Sequence, residues 1–437
     1  MPKSFDVRIV DVDGACEGKN LRRVTNEEIV DILKENRALV RNWFDLPMFP
    51  EWWKGDPIAL PHRKRHEAKF FEKYGRMPNV DDSEDRTLLL EEFVFGDTET
   101  SGEWIEDHTG INSRLFAKPG VATSDLAAEA ADNVLAAAGV EACEVRGIFV
   151  ATVTPDHPQT PPMAAIVSAK LGVNGKGKSY LSDMPFIDGT AACSSFVVVL
   201  RAACALAQSE GGLFLVIGAD VMSRTVNPFS RNILPILGDG AGAILLEAHE
   251  TNGEHKDGKN FRPECFFSYL DGSKAHLIIT PAGGSRLPVT AQMIVNPFDQ
   301  RHLMFMDGPR VRKAAVRLLI PSRFEDKSKT VLPAAFVKMG FSMDTEEDFK
   351  NALGQVDVFL FHQANARIIE DVERKLRHYG YEGTVFNNIS HYGNTTSASI
   401  PLLLEEGWRR GVIKRNTRVM AVVFGGGFTA ATAYFRF

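Results

Sequence analysis

Residues 213–219 read Leu-Phe-Leu-Val-Ile-Gly-Ala, a run without one polar side chain. A strand this uniformly apolar needs cover on both faces. A sheet sandwiched between helices supplies that cover, and a half-solvated antiparallel sheet does not. The neighbouring sequence agrees. Ser124 opens an Ala-rich helix that stops at Ala138-Gly139, where glycine suits a helix terminus. Residues 145–153 read as a strand, 163–171 as a helix halted by Gly172, and 185–188 as a short apolar strand. Residues 196–208 follow as a helix and 241–246 as a strand. Upstream, residues 5–12 suggest a strand and 26–39 a helix capped by Thr25.

After the polar stretch 250–260 the rhythm restarts. Helices are expected over 308–319, 366–377 and 397–407, and strands over 356–361, 418–424 and 430–435. The alternation implies an α/β architecture of two related halves, divided at residues 255 and 256. Residues from about 42 to 96 depart from this pattern. They are rich in Pro, aromatic and charged residues and poor in β-branched ones, and they read as a helical, loop-rich insertion over one surface. A separate domain of that size, with four prolines in its first half, would have little core.

Composition narrows the class. Lys+Arg number 50 against 56 Asp+Glu, and 44% of residues are hydrophobic, which excludes a disordered chain. A net charge of −6 argues against non-specific nucleic-acid binding, which needs a basic face. No apolar run is expected to reach the roughly 18–20 residues of a membrane span. The first twenty residues lack a secretory pattern, so a cytoplasmic protein is expected. Cys16, Cys143, Cys193, Cys204 and Cys265 form no C-x-x-C pair, which disfavours a disulfide framework or structural zinc.

Cys193, in Asp188-Gly-Thr-Ala-Ala-Cys-Ser-Ser-Phe, sits at a strand-to-helix junction. A cysteine is most often a small buried hydrophobe, and Cys204 fits that description. At a helix N-terminus, however, the helix dipole is expected to favour a thiolate nucleophile. His362 follows the apolar Val-Phe-Leu-Phe, at a strand end of the kind where α/β sheets place ligands. Asn394 lies in the small-residue turn His-Tyr-Gly-Asn-Thr-Thr-Ser-Ala-Ser, where it suits either a helix cap or a hydrogen-bond donor. Gly425-Gly-Gly-Phe suits a tight sheet corner, or backbone donors to an oxyanion. Gly238-Asp-Gly-Ala-Gly-Ala precedes a strand, so it is not a dinucleotide loop.

AACSSF, GDGAGA, HQAN, HYGNTTSAS and FGGGFT, in that order, together resemble β-ketoacyl-acyl-carrier-protein synthase III. The likeness extends through SGEWIEDHTGINSR and covers about residues 98–437 plus the first strand and helix. It implies the thiolase fold, two related α/β halves in five-layered αβαβα packing, paired as a homodimer through strands beside the nucleophile. A His–Asn pair separates it from elongating ketosynthases, which use two histidines. The lack of any cysteine after Cys265 separates it from degradative thiolases.

The resemblance further implies roles. Cys193 takes an acyl group from acyl-CoA, with the backbone N–H groups of Cys193 and Gly426 as oxyanion hole. His362 and Asn394 bond the thioester carbonyl of malonyl-acyl-carrier-protein as it loses carbon dioxide. No metal or redox cofactor is implied. Trp104 matches an aromatic that stacks on the CoA adenine, Arg231 a basic residue near its phosphates, and His108 stands where the family has arginine. Lys313, Arg367, Arg374 and Lys375 match a basic docking surface for the acyl carrier protein. Gln159-Thr160-Pro161-Pro162 replaces a bulky aromatic at the primer pocket, so the acyl primer stays open. Two alternatives keep the fold: acyl transfer to a hydroxyl or amine, and a non-catalytic assembly subunit. In the insertion, Trp43, Phe44, Phe49, Trp52, Trp53, Phe70 and Phe71 suit packing onto the host, and His62-Arg-Lys-Arg-His suits contact with CoA or carrier protein.

Overall fold

A computed structural model describes residues 4–15, 17–41, 60–88, 100–173, 183–228, 230–251, 261–295 and 301–437. The first half contains strands β1 (Ser4–Gly14), β2 (Leu21–Thr25), β3 (Ser113–Ala117), β4 (Val145–Ala151), β5 (Phe186–Gly189), β6 (Gly212–Asp220) and β7 (Gly240–Thr251). Its helices are α1 (Asn26–Arg41), α2 (Leu60–Tyr74), α3 (Ser83–Leu88), α4 (Gly102–Thr109), α5 (Thr123–Ala138), α6 (Met163–Leu171) and α7 (Ser195–Glu210). The second half contains β8 (Phe266–Leu270), β9 (Ile278–Ile279), β10 (Phe305–Met306), β11 (Val358–Phe361), β12 (Thr384–Phe386), β13 (Arg418–Gly425) and β14 (Thr429–Arg436). Its helices are α8 (Ala291–Val295), α9 (Gly308–Leu319), α10 (Val331–Lys338), α11 (Glu346–Leu353), α12 (Ala366–His378), α13 (Ile389–Tyr392) and α14 (Ser399–Arg409). Residues 252–260, where the boundary between halves is expected, lie outside the described residues.

Two five-stranded sheets repeat one topology. The first runs β1-β7-β6-β4-β5 and the second β8-β14-β13-β11-β12. In each, the last three strands are parallel and the other two antiparallel. Helices α7 and α14 lie between the sheets. α7 packs on β1, β4 and β6 and also on β14, while α14 packs on β1 and β7 and also on β11. The sequence explains why α14 can sit there: Ile400, Pro401, Leu402, Leu403 and Leu404 are consecutive and all buried, so the first half of the helix is apolar on every side and belongs in a core. α5 and α6 cover the outer face of the first sheet, and α9, α10 and α12 join the outer core of the second. The layers are therefore αβαβα.

Ala192–Glu210, which includes α7, is long and apolar enough to cross a membrane by length and composition. This corrects the expectation that no such run exists. Phe196, Val197, Val199, Leu200, Ala203, Cys204 and Ala207 are buried in the middle layer, so the run is accounted for as a core helix.

Helix ends follow local chemistry. Thr25 and Glu28 form a reciprocal cap at α1, with Glu28 N–H donating to Thr25 Oγ1 (3.3 Å) and Thr25 N–H to Glu28 Oε2 (2.9 Å). α12 is capped by Asn365, whose side chain accepts from Arg367 N–H. Within the insertion, Phe70 is buried, Phe71 is 53% exposed, and Arg76 pairs with the buried Asp85. Trp43, Phe44, Phe49, Trp52, Trp53 and the side chains of residues 62–66 lie outside the described residues.

Candidate active site

β5 ends at Gly189, and α7 starts at Ser195 after five intervening residues. The turn between them is closed locally. Ser195 Oγ accepts from Ala191 N–H (2.8 Å) and donates to Ala192 O (2.5 Å), while Ser194 N–H donates to Ala191 O (3.1 Å). Ala192 has φ 50°, a left-handed conformation uncommon outside glycine, and it immediately precedes Cys193. The end of β13 crosses this turn. A Cβ on Gly425 would stand 2.7 Å from Cys193 N, so glycine is required for the approach. Thr429 fastens the crossing through Ser194 Oγ (3.0 Å) and Ala191 O (3.2 Å). Gly426 lies in the β13–β14 turn thus pinned beside Cys193.

Burial pushes the Cys193 thiol up to about 12, the negative charge of Asp220 adds to the rise, and a backbone hydrogen bond opposes it. The resting group at neutral pH is a thiol. Desolvation and the Asp220 charge thus work against the partial positive charge that the start of α7 offers a thiolate. Cys143, Cys204 and Cys265 are also free thiols, and Cys16 lies outside the described residues.

His362 directly follows β11, with its N–H bonded to Val422 O (2.9 Å) and its ring set edge-on to Phe424 at 5.5 Å. It is 1% exposed. Burial pushes its imidazole down to about 3, so it is neutral at pH 7. Neither ring nitrogen has a hydrogen-bond partner among the described residues. Buried polar atoms are rarely left so, and one donor and one acceptor here await a ligand.

Asn394 is held through its main chain by the glycine-rich turn before β7. Its N–H donates to Ile236 O (2.8 Å), and its carbonyl accepts from Gly238 N–H (3.0 Å). Its side-chain Oδ1 accepts from Thr396 N–H (2.9 Å), which leaves the amide NH₂ as the outward donor. A buried polar chain ties this segment to that of His362. Gln363 Oε1 accepts from Asn388 N–H (3.0 Å), and Asn388 Nδ2 donates to Glu406 Oε2 (3.0 Å). Glu406 also meets His391 Nε2 at 3.2 Å.

Trp104, His108 and Arg231 come together as a stack. The His108 ring lies 4.2 Å from that of Trp104 at 18°, and the Arg231 guanidinium lies 4.6 Å from the Trp104 centroid. The four basic residues expected to dock a carrier protein behave unequally. Lys313 and Arg374 are exposed, with Arg374 bonded to Asp371 (3.1 Å). Arg367 instead donates to Asp107 O (2.9 Å) and Glu106 O (3.2 Å) at the end of α4, and to Glu370 (2.6 Å). Lys375 Nζ donates to Ser322 Oγ (2.9 Å), and burial lowers its basicity. Gln159, Thr160 and Pro161 are exposed.

Periodicity does not single out Asp220, which is fully buried and accepts from residues of both halves. An acid closing an otherwise apolar strand is the signal that marks it in the sequence. Arg114 is buried as well, donating to Pro235 O (2.7 Å) behind the turn that carries Asn394.

A half-buried cysteine turn, a neutral histidine at a strand end and a glycine corner, arranged on two sheets with αβαβα layers, define a thiolase-fold enzyme. Comparison with known proteins gives the family. Residues 187–259 match the family model for 3-oxoacyl-[acyl-carrier-protein] synthase III, and residues 349–437 match the model for its C-terminal part. A β-ketoacyl-[acyl-carrier-protein] synthase III of Rhodopirellula baltica is 38% identical over 346 residues, 76% of this chain and 90% of that one. The crystal structure of 3-oxoacyl-[acyl-carrier-protein] synthase III from Aquifex aeolicus is 29% identical, with a TM-score of 0.59 over 77% of this chain and 92% of that one. The priming β-ketosynthase of the R1128 polyketide pathway shares the fold, with a TM-score of 0.65 over 100% and 97% of the two chains at 21% identity. The chain belongs to the β-ketoacyl-acyl-carrier-protein synthase III family and is an acyltransferase of that type.

Proposed function

We propose that the enzyme condenses an acyl group from acyl-CoA with malonyl-acyl-carrier-protein, using Cys193 as nucleophile and His362 and Asn394 as donors to the thioester carbonyl. The observation that carries this reading is the buried, neutral, unpartnered imidazole of His362. A neutral ring can donate a hydrogen bond to a carbonyl oxygen as it gains enolate charge, without giving up a bond to any described residue. In the first step, the Cys193 sulfur bonds the acyl carbon, the CoA sulfur departs, and the thiol proton ends on it. Backbone N–H groups of Cys193 and Gly426 face the oxyanion. In the second step, malonyl thioester loses carbon dioxide and leaves an enolate on the oxygen held by His362 and Asn394. Its carbon attacks the acyl-Cys193 carbonyl, the carbon–sulfur bond breaks, and Cys193 regains a proton. The proton that returns to Cys193 comes from water, so each turnover consumes one proton, the thiol's own having left with CoA.

In this reading the Trp104–His108–Arg231 stack receives CoA, and Lys313 and Arg374 offer the exposed charge for an acidic carrier protein, with Arg367 and Lys375 as a partly committed margin. The open edge of β5, where Phe186 is 60% exposed, is the proposed homodimer seam. We divide the chain at residues 255 and 256 and place the enzyme in the cytoplasm. The test is direct. Labelled acyl-CoA should acylate the protein, and Cys193→Ala should abolish the label, whereas persistent labelling would overturn the assignment. Carbon dioxide release, followed with product mass spectrometry, separates condensation from simple acyl transfer.

A further inference from the structure

Asp220 closes β6 wholly buried, and its two oxygens divide their partners between the two halves of the molecule. Oδ1 accepts from Thr152 Oγ1 (2.9 Å), Val153 N–H (2.7 Å), Thr154 N–H (3.1 Å) and Thr154 Oγ1 (2.9 Å), all just beyond β4. Oδ2 accepts from Thr396 Oγ1 and from Ser397 N–H (2.9 Å), in the second half. These hydrogen bonds satisfy the buried carboxylate, which would otherwise be costly to bury. Close packing reinforces the clip: a Cβ on Gly218, two residues earlier in β6, would stand 2.3 Å from Ser397 O. The turn it grips is unusual. Thr396 has φ 47°, a marked outlier for a β-branched residue, and conformations of that kind persist where surroundings over-determine them. That conformation aims Thr396 N–H at Asn394 Oδ1.

We propose that Asp220 is a positioning residue for the condensation step: by clamping Thr396 and Ser397 against β6, it fixes the Asn394 amide with its NH₂ end presented to the substrate. The inference rests on the proposed role of Asn394 as a donor. Asp220 acts on the nucleophile separately, since its charge helps to keep the Cys193 thiol protonated. Asp220 is also the charged group that bears on Cys193 among the described residues, so removing its charge reads out on the thiol, whereas removing the Thr396 hydroxyl does not.

Two variants separate these effects. Thr396→Val removes the Oγ1 link and keeps the carboxylate, while Asp220→Asn keeps the shape and removes the charge. In both, decarboxylation of malonyl-carrier-protein by acylated enzyme should fall about 10–100-fold, the scale of a misplaced catalytic group, with Cys193 acylation not slowed. The pH profile of Cys193 alkylation by iodoacetamide should move to lower pH in Asp220→Asn and stay in place in Thr396→Val. Thr396→Ser should recover decarboxylation. Thr396→Val decides the matter if Asp220→Asn does not fold. Undiminished decarboxylation in folded Thr396→Val, or equal slowing of acylation and decarboxylation, overturns the proposal. If instead Cys193→Ala still accepts label from acyl-CoA, the assignment of the site fails and not the clamp alone.

Discussion

Cys193 and Asn394 occupy corresponding places in the two halves. β5 and β12 are the edge strands at the parallel end of their sheets. Each leads, directly or through a short helix, into a turn and then into a middle-layer helix, α7 or α14. Each turn contains a non-glycine residue in the left-handed region, Ala192 in one and Thr396 in the other. They differ in what holds them. The first turn is closed by its own serines and by Gly425 and Thr429, whereas the second is held from outside by buried carboxylates, Asp220 and Glu406. One scaffold used twice thus places the proposed nucleophile on a turn closed by hydroxyls and a close-packed glycine, and the proposed donor on a turn held by buried carboxylates. Burial acts on both halves alike, raising the thiol of Cys193 and lowering the imidazole of His362, so that both are neutral at pH 7.

The largest expected effect would break the division of labour outright. His362→Ala should lower decarboxylation about 10²–10³-fold, as loss of one preorganised donor does, while burst acylation of Cys193 persists. Rapid-quench measurement of both steps checks this, and loss of both together would refute the separation of roles.

Next comes pH. The folded His362 lies below its ordinary 6.5, at about 3, so the unfolded chain binds the extra proton between those values. Its stabilisation is present above pH 6.5 and is lost as pH falls toward 3. Urea titrations at pH 7 and 4.5 should show a larger acid loss in the parent than in His362→Gln, on the order of 2 kcal/mol. Cys193 runs the other way: its folded value lies above 9.0, so its contribution is present below pH 9 and is lost above it. Cys193→Ser should flatten the alkaline side of the same profile.

Smaller effects concern the surface. Trp104→Ala should raise KM for acyl-CoA roughly 5–30-fold, the equivalent of about 1–2 kcal/mol of stacking and cation–π contact, with kcat little changed. Steady-state kinetics with acyl-CoA varied provides the check. Lys313→Glu and Arg374→Glu should raise KM for malonyl-carrier-protein a few-fold, an effect that fades in high salt. Arg367→Glu should instead lower the melting temperature, because Arg367 is spent on the carbonyls that end α4. Equal kinetic effects from all three would return Arg367 to the docking face.

The sequence by itself determined the elements whose identity rests on local periodicity and punctuation. Met163–Leu171 and Gly308–Leu319 run from the first to the last residue expected, because glycine and the apolar stripe are short-range signals. It also singled out Cys193, His362 and Asn394, the residues proposed to bear the chemistry, since each sits in a turn at a strand or helix end. Irregular stretches were less legible. The chain over 266–306, with β8, β9, β10 and α8, carries no clear period, and α4 and the β2–β3 pair are equally short. Three further features depend on tertiary contacts: Asp220 joins the halves, Arg367 is committed to α4, and desolvation pushes the Cys193 thiol up. Each depends on contacts between residues far apart in the chain, and on the exclusion of water that those contacts bring. Desolvation and long-range hydrogen bonds have no local signature.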